Sequence, residues 1–342
     1  MLMKMYPAGP GDCVRIKYEG DDGENHNIVI DTGTRTSYKN GFKALLTDVI
    51  ADEEIIDLLV ISHYDLDHIG GILEAYSDDK FSDDIIHTIW FNAKMIVDPK
   101  SKLELFEFKF EKIKLPNENN NMGAKHSGQL SELIAKSKIN WHSLPACIEN
   151  NLNENFYGLT IKFISPFLSE INELFEFSNS TNMKSLPKDH KIDMKVLKDR
   201  KWVRQEKESK HKSSMSFIFE FEDIRVLYLS DTSSASVIEG LLFHVDGKQS
   251  FDAVKLSHHC SARNFSKEML ELIECHKYLI SSDGSKYGHP NKEVIARILE
   301  RNKTASNLSE LYFNYPIENT VFTEQDKKDY NFGINNNGEC YL

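Results

Sequence analysis

Short apolar runs of strand length recur along the chain, and many of them stop at a polar cluster. Residues 13–18 alternate as a half-buried strand does, and Asp21-Asp22-Gly23 breaks the run. A second apolar stretch over 27–30 then ends at Asp31-Thr32-Gly33. The pattern predicts a hairpin opening into a polar loop. Phe42, Leu45, Leu46 and Val49 follow at helical spacing, and residues 55–61 form an apolar run interrupted only by Asp57, as a buried strand reads. That strand passes through Ser62 into His63, with Gly70 and Gly71 opening the next predicted helix.

The alternation continues with strands predicted over 85–91, 159–165, 215–222, 224–229, 253–256 and 278–281, and helices over 130–137 and 292–301. Residues 117–128 are rich in Asn and Gly and read as a loop. The tail from 302 to 342 is polar but carries Leu311, Tyr312, Phe313, Val321 and Phe322, which predict a closing strand or two. No short-period repeat and no linker of inter-domain character interrupts this order. The expectation is one α/β domain over residues 1–342 with a basic insertion at 172–212.

Composition narrows the class. At 342 residues, 40% hydrophobic and 11% aromatic, the chain can bury a large core and is not of disordered type. Met1 to Gly9 holds no signal-like apolar run and no later segment has membrane-spanning length, so a cytoplasmic protein with no membrane partner is expected. Cys13, Cys147, Cys260, Cys275 and Cys340 are odd in number and scattered, which favours free thiols over a disulfide framework. The net charge of -12 opposes non-specific attraction to nucleic acid. Lys184 to Lys212 is the local exception, with eleven Lys or Arg against five Asp or Glu and Trp202 among them. It reads as a solvated, partly helical surface insertion or as a phosphate-tracking arm.

The chemistry concentrates at His63-Tyr64-Asp65-Leu66-Asp67-His68, two imidazoles and two carboxylates within six residues. Nitrogen and oxygen donors in this mixture suit Zn²⁺ or Mn²⁺. Two carboxylates crowded at a strand end without a cation resist ionising side by side, and a metal removes that objection. Further polar strand ends follow at Ser230-Asp231-Thr232, at His258-His259-Cys260-Ser261 and at Tyr287-Gly288-His289-Pro290.

This set resembles the metallo-β-lactamase superfamily, whose signature is His-x-His-x-Asp-His followed by glycines. His63, Asp67 and His68 fall on three of its ligand positions, and Asp65 stands where a histidine is usual. That departure is similar to the soluble hydrolase domain of the competence-protein (ComEC-like) branch. Gly11-Asp12-Cys13, Asp31-Thr32-Gly33, His258-His259-Cys260-Ser261 and Tyr287-Gly288-His289-Pro290 resemble that branch's motifs in its order, with Cys260 in place of a glycine. The resemblance implies a four-layer αββα sandwich and a metal site of His63, Asp65, Asp67, His68, Asp231 and the His258-His259 pair, holding one or two ions. Which histidine of the pair is the ligand stays open. His126 is the candidate for a middle ligand that no motif supplies, and Asp31 for a supporting role or a further ligand. Asp67 and His289 are the catalytic candidates. A thiol role for Cys260 is the minor alternative beside an aspartate already placed to bridge.

Such a site implies hydrolysis by a metal-activated hydroxide. The competence-type resemblance and the basic segment direct the expectation to a phosphodiesterase or nuclease. Arg200, Lys201, Trp202 and Arg204 would then hold a nucleic acid or nucleotide by charge and stacking. A metallo-hydrolase of a small ester, thioester or amide is one alternative. A metal-binding interaction protein with a protein partner is another.

Overall fold

Two mixed sheets carry the fold of the computed structural model, which describes residues 1–93, 122–150, 153–176, 185–205, 209–303 and 308–342. Residues 117–121 of the predicted loop, and residues 172–212 where they fall in 177–184 and 206–208, lie outside the described residues. The first half of the chain supplies β1 (Leu2–Met5), β2 (Val14–Glu19), β3 (Asn25–Ile30), β4 (Ile56–Ile61), β5 (Ile86–Phe91) and β6 (Asn140–Trp141). The second supplies β7 (Glu154–Phe156), β8 (Leu159–Ser165), β9 (Ser216–Phe221), β10 (Ile224–Tyr228), β11 (Gln249–Ser250), β12 (Ala253–Lys255), β13 (Ile273–Glu274), β14 (Lys277–Ile280), β15 (Ser309–Phe313), β16 (Phe332–Asn335) and β17 (Glu339–Tyr341).

One sheet runs β17-β1-β2-β3-β4-β5-β6 and the other β16-β15-β14-β12-β10-β9-β8-β7, with β11 and β13 as a small separate pair. The hairpin strands pair antiparallel, whereas β3 to β6 and β10 through β16 pair parallel. A parallel strand is covered on both faces, so β4 is buried along its whole length. Its alternate residues serve two cores: Leu58 and Val60 face the second sheet, and Leu59 and Ile61 face helices.

Three buried clusters define four layers. Between the sheets lie Ile16, Ile28, Leu58, Phe163, Phe217, Phe219 and Tyr228. Outside the first sheet, Phe42 and Leu45 from helix Phe42–Ala51 and Ile69 and Ile72 from helix Leu66–Ala75 pack on Val29 and Leu59. Outside the second, Val237 and Leu241 from helix Ser234–His244 and Val294, Ile295 and Ile298 from helix Lys292–Asn302 pack on Leu227 and Ile280. This is the αββα sandwich that the resemblance implies.

Three expectations change. The helix after β4 begins at Leu66, not Gly70. The glycines sit inside it because a Cβ on Gly71 would stand 2.0 Å from the Thr32 carbonyl oxygen, so only glycine lets the helix lie on the Asp31-Thr32-Gly33 loop. The helix predicted from residue 130 starts at Met122, within the Asn/Gly-rich tract. Among its described residues the tail forms three strands, and the last pairs with β1.

Over 185–205 the basic segment packs onto the second sheet's outer layer, with Arg200, Lys201 and Arg204 exposed. Met194 and Leu197 are fully buried in the outer core of the second sheet. Asp189 accepts from the backbone N–H groups of Lys292 and Glu293, capping helix Lys292–Asn302. Lys292, completely buried, donates to Asp326 Oδ2 at 2.7 Å and to the His190 carbonyl at 2.6 Å. Asp326 also accepts from the Met194 N–H at 2.6 Å. Removing one partner of a buried pair strands the other charge. Asp326→Ala is therefore expected to cost about 3–5 kcal/mol of stability, read as a lower urea midpoint. Asp84→Ala, which breaks an exposed pair with Lys138, should leave the midpoint in place.

Candidate metal centre

The polar clusters that end the strands converge at the C-terminal ends of the parallel strands. Asp31 follows β3, His63 to His68 follow β4, Asp231 follows β10, His258 and His259 follow β12, and His289 lies in the loop after β14.

Asp31 has a left-handed backbone, φ 58°. It accepts from the Ser62 N–H at 2.8 Å, the Ser62 hydroxyl at 2.6 Å and Nδ1 of His68 at 2.7 Å. His259 Nδ1 meets the Ser281 carbonyl at 3.1 Å, and His258 Nδ1 meets Asn264 Oδ1 at 3.0 Å. The Asn264 amide donates to the carbonyls of Asp231 and Thr232, so its oxygen is the acceptor for His258. His63 Nδ1 lies 3.0 Å from a Ser62 hydroxyl whose hydrogen already goes to Asp31. In all four imidazoles Nδ1 therefore carries the hydrogen and Nε2 is the donor atom presented inward.

Those Nε2 atoms surround Asp231. Its Oδ2 lies 3.8 Å from His63, 3.4 Å from His68 and 3.5 Å from His258, and its Oδ1 lies 3.7 Å from His259. Nε2 of His63, His68 and His259 and Oδ1 of Asp231 are buried without a hydrogen-bond partner. Buried polar atoms need partners. Zn²⁺ with tetrahedral bonds of about 2.0–2.2 Å holds neighbouring donors about 3.3–3.6 Å apart. At 3.4–3.8 Å these spacings are long for hydrogen bonds, and the His68 and His258 distances to Asp231 match donors that share a cation.

Among the described residues three groups of side chains are close enough to hold one: His63, His211 and Asp231; Asp67, His68 and His259; and Asp12, His68 and Asp231. Asp65 Oδ2 stands beside the first, 3.9 Å from His63 and 3.7 Å from His211. His258 and His289 border the groups without joining them, the His289 ring 5.3 Å from His258 and 6.3 Å from His259. Of the adjacent histidines, His259 is thus the one inside a group.

Charge is strongly polarised. Burial pulls the His68 pKa down, but Asp231 and Asp31 outweigh it and hold it well above the ordinary value. Burial keeps His63 well below, helped by His68. Asp67 is raised by burial and by Asp65, whereas His258, His68 and His259 overcome burial and hold Asp231 well below the usual carboxylate range. A cation binding here competes with a proton for the His68 ring.

His211 is the residue that sequence reasoning missed. It lies in the basic run, in the short helix Ser209–Lys212. The Ser165 hydroxyl, donating to the carbonyls of Lys212 and Ser214 at 3.1 and 2.9 Å, ties the following residues to the end of β8. The available signal was its place just before the strand pair that ends in Asp231. His126, the middle-ligand candidate, is half-buried on helix Met122–Lys136 near Arg35, and none of the three groups includes it. Gly11 and Asp12 also belong to the centre: a Cβ on Gly11 would stand 1.9 Å from the Asp67 carbonyl oxygen. Cys260 is buried, with its thiol pushed far up by burial, which suits packing and not nucleophilic attack.

The basic candidates separate. Trp202 packs under Arg297, whose guanidinium carbon is 3.9 Å from the ring centroid, and against Phe265. The Arg200 carbonyl accepts from Arg297, while the side chains of Arg200, Lys201 and Arg204 are exposed. The expectation of a free stacking face on Trp202 is corrected accordingly.

A sequence model of the metallo-β-lactamase superfamily matches residues 6–102, a span that contains Asp12, Asp31 and the whole His63 to His68 run. The chain has the metallo-β-lactamase fold. Fold and donor set together are those of a metal-dependent hydrolase. The match is to the superfamily as a whole, and no curated protein sequence matches the chain. Among solved structures, the metallo-β-lactamase fold protein YhfI from Bacillus subtilis is similar at 12% identity, over 98% of this chain and 95% of that one, with a TM-score of 0.41. Zn²⁺-bound PqqB from Methylobacterium extorquens is similar at 10% identity over all of both chains, TM-score 0.42. A diphosphatase of the PhnP family is similar at 15% identity, over 95% of this chain and 80% of that one, TM-score 0.35. Among the described residues no helix is long and apolar enough to cross a membrane.

Replacing His211 by Ala is expected to lower bound Zn²⁺ or Mn²⁺ to roughly half the wild-type content, because one donor group loses its third ligand. His126→Ala should retain full content. Elemental analysis of gel-filtered protein reads both, and the reverse result would restore His126 as the ligand.

Proposed function

We propose that the protein is a metal-dependent phosphodiesterase with His63, Asp65, His211 and Asp231 holding one divalent cation and Asp67, His68, His259 and Asp231 a second. The observation that carries this reading is the placement of Asp231 between the two donor groups, with Oδ2 facing His63 of one and His68 of the other and Oδ1 facing His259. A carboxylate shared in this way suits a two-cation clamp, the arrangement that phosphodiester displacement uses. Bound there, the cations would supply Lewis acidity and would lower the pKa of a water toward neutrality.

The chain's own groups divide the remaining work. Asp65, Asp67 and His258 are the partly accessible members of the cluster, with side chains 22%, 24% and 19% exposed, so substrate enters over them. His289, beside His258 but outside the donor groups, is placed to give a proton to the leaving oxygen. Asp31 fixes His68 through Nδ1. Lys201 and Arg204 project from the segment packed on helix Lys292–Asn302 and suit the flanking phosphates of a nucleotide or a nucleic-acid strand. The resemblance to the competence-type branch and the oxygen-rich donor set favour the same substrate class and admit Mn²⁺ beside Zn²⁺.

With Mn²⁺ or Zn²⁺ the protein is expected to hydrolyse a chromogenic phosphodiester and single-stranded DNA or RNA, and Asp67→Ala/His68→Ala should abolish this. His289→Ala should lower kcat by about 10²–10⁴-fold with metal content unchanged. Lys201→Ala/Arg204→Ala should raise KM for an oligonucleotide but not for the small diester. Turnover of thioesters or lactams with no phosphodiester cleavage would sink the assignment.

A further inference from the structure

Beneath the donor groups lies an ion pair that the proposed reaction does not use. Lys255, the last residue of β12, is completely buried, and its ammonium contacts Asp12 Oδ2, also completely buried. Lys255 belongs to the second sheet, and Asp12 precedes β2 of the first. The Tyr228 ring presents its face to the ammonium at 5.5 Å. The second oxygen of Asp12, Oδ1, faces Nδ1 of His259 at 3.4 Å, while Nε2 of the same ring faces Asp67 at 3.9 Å and Asp231 at 3.7 Å.

We propose that Lys255 is a positioning residue of the metal centre: it holds Asp12 out of the ligand set and behind His259, so that His259 keeps Nε2 aimed at the second cation position. The inference rests on the metal-centre reading above but not on any substrate.

Two arguments carry it. Asp12 is close enough to His68 and Asp231 to compete as a ligand, and the ammonium on its Oδ2 reduces the negative charge it can offer a cation. The Ser281 carbonyl takes the Nδ1 hydrogen of His259 at 3.1 Å, and Asp12 Oδ1 stands behind the same nitrogen at 3.4 Å as a negative charge, backing a histidine whose own backbone is left-handed, φ 56°, between His258 at 47° and Cys260 at 67°. Three successive residues in that region leave little backbone latitude to correct a ring that has lost its support. Charge gives the second argument. The carboxylates of Asp12, Asp31, Asp65, Asp67 and Asp231 stand in or directly against the cluster. With Lys255 neutralising Asp12, the charge that remains is the charge two divalent cations balance. Without it, the buried site carries a surplus negative charge that no ligand position absorbs.

Titration of the full chain with Co²⁺, followed by visible absorption and by elemental analysis, tests this. The double variant Lys255→Met/Asp12→Asn removes both charges at similar volume, and Asp12→Asn alone keeps a hydrogen-bonding partner for Lys255. Each is taken forward once a cooperative thermal transition shows that it folds. In the folded variants the second equivalent of Co²⁺ is expected to bind about 10–100-fold more weakly, with an altered spectrum, while the first is retained. Asp12→Glu, which restores the carboxylate, should recover part of the loss. Wild-type affinity for both equivalents and an unchanged spectrum in either folded variant would overturn the proposal. Failure of the wild-type chain itself to take up Co²⁺ would instead remove the metal-centre reading on which it stands.

Discussion

The geometry of the centre depends on the hydrogen bonds that Asp31 accepts. Its carboxylate takes both donors of Ser62 and the Nδ1 hydrogen of His68, and the Ser62 hydroxyl in turn accepts from Ser230 across the sheets at 2.7 Å. One buried acid therefore orients a donor histidine and links β3, the end of β4 and the end of β10. Ser214 extends the link, since its hydroxyl accepts from the Asp231 N–H at 3.2 Å. Elsewhere the sheets meet through Phe, Ile and Val. At this end they meet through hydroxyls, carboxylates and an ammonium, and such groups hold position only if every partner is in place.

That polarity costs stability and supplies function. Burying Asp12, Asp31, Asp231, His63, His68 and His259 together is unfavourable unless each finds a partner. Hydrogen bonds satisfy the outward faces of the rings, whereas inward atoms such as Nε2 of His63, His68 and His259 point at one another's territory. A divalent cation suits converging nitrogens and oxygens at these spacings. Its binding energy then becomes folding energy for the ends of β4, β10 and β12.

The sequence made the strand ends legible because apolar runs of strand length stop at His63, Asp231 and His258, and the spacing needs no tertiary information. It hid what depends on packing between distant segments. His211 sits among lysines, where local composition argues for a solvated surface, yet it is buried against His63 and His258 at ring distances of 5.7 and 4.6 Å. Trp202 looked like a stacking platform because the residues around it are basic, but the cation that uses its ring is Arg297, 95 residues further on. Gly70 and Gly71 read as a helix start, although their role is close approach to the Thr32 loop. Lys255 has no local pattern at all: an apolar strand ending in one lysine gives no sign that its partner is Asp12.

These misreadings share a cause, and it bears on how the basic segment works. Its described residues grip the site at two places. Lys188 donates to the Gly284 carbonyl at 2.6 Å and His190 bonds the Pro290 carbonyl at 2.8 Å, bracketing the loop that carries His289. At the other end the chain brings His211 against His63. An arm that swung free to follow a nucleic-acid strand would withdraw both His211 and the support of His289. The positive charge of Lys201 and Arg204 is therefore displayed on a segment whose described ends are tied to the candidate metal centre.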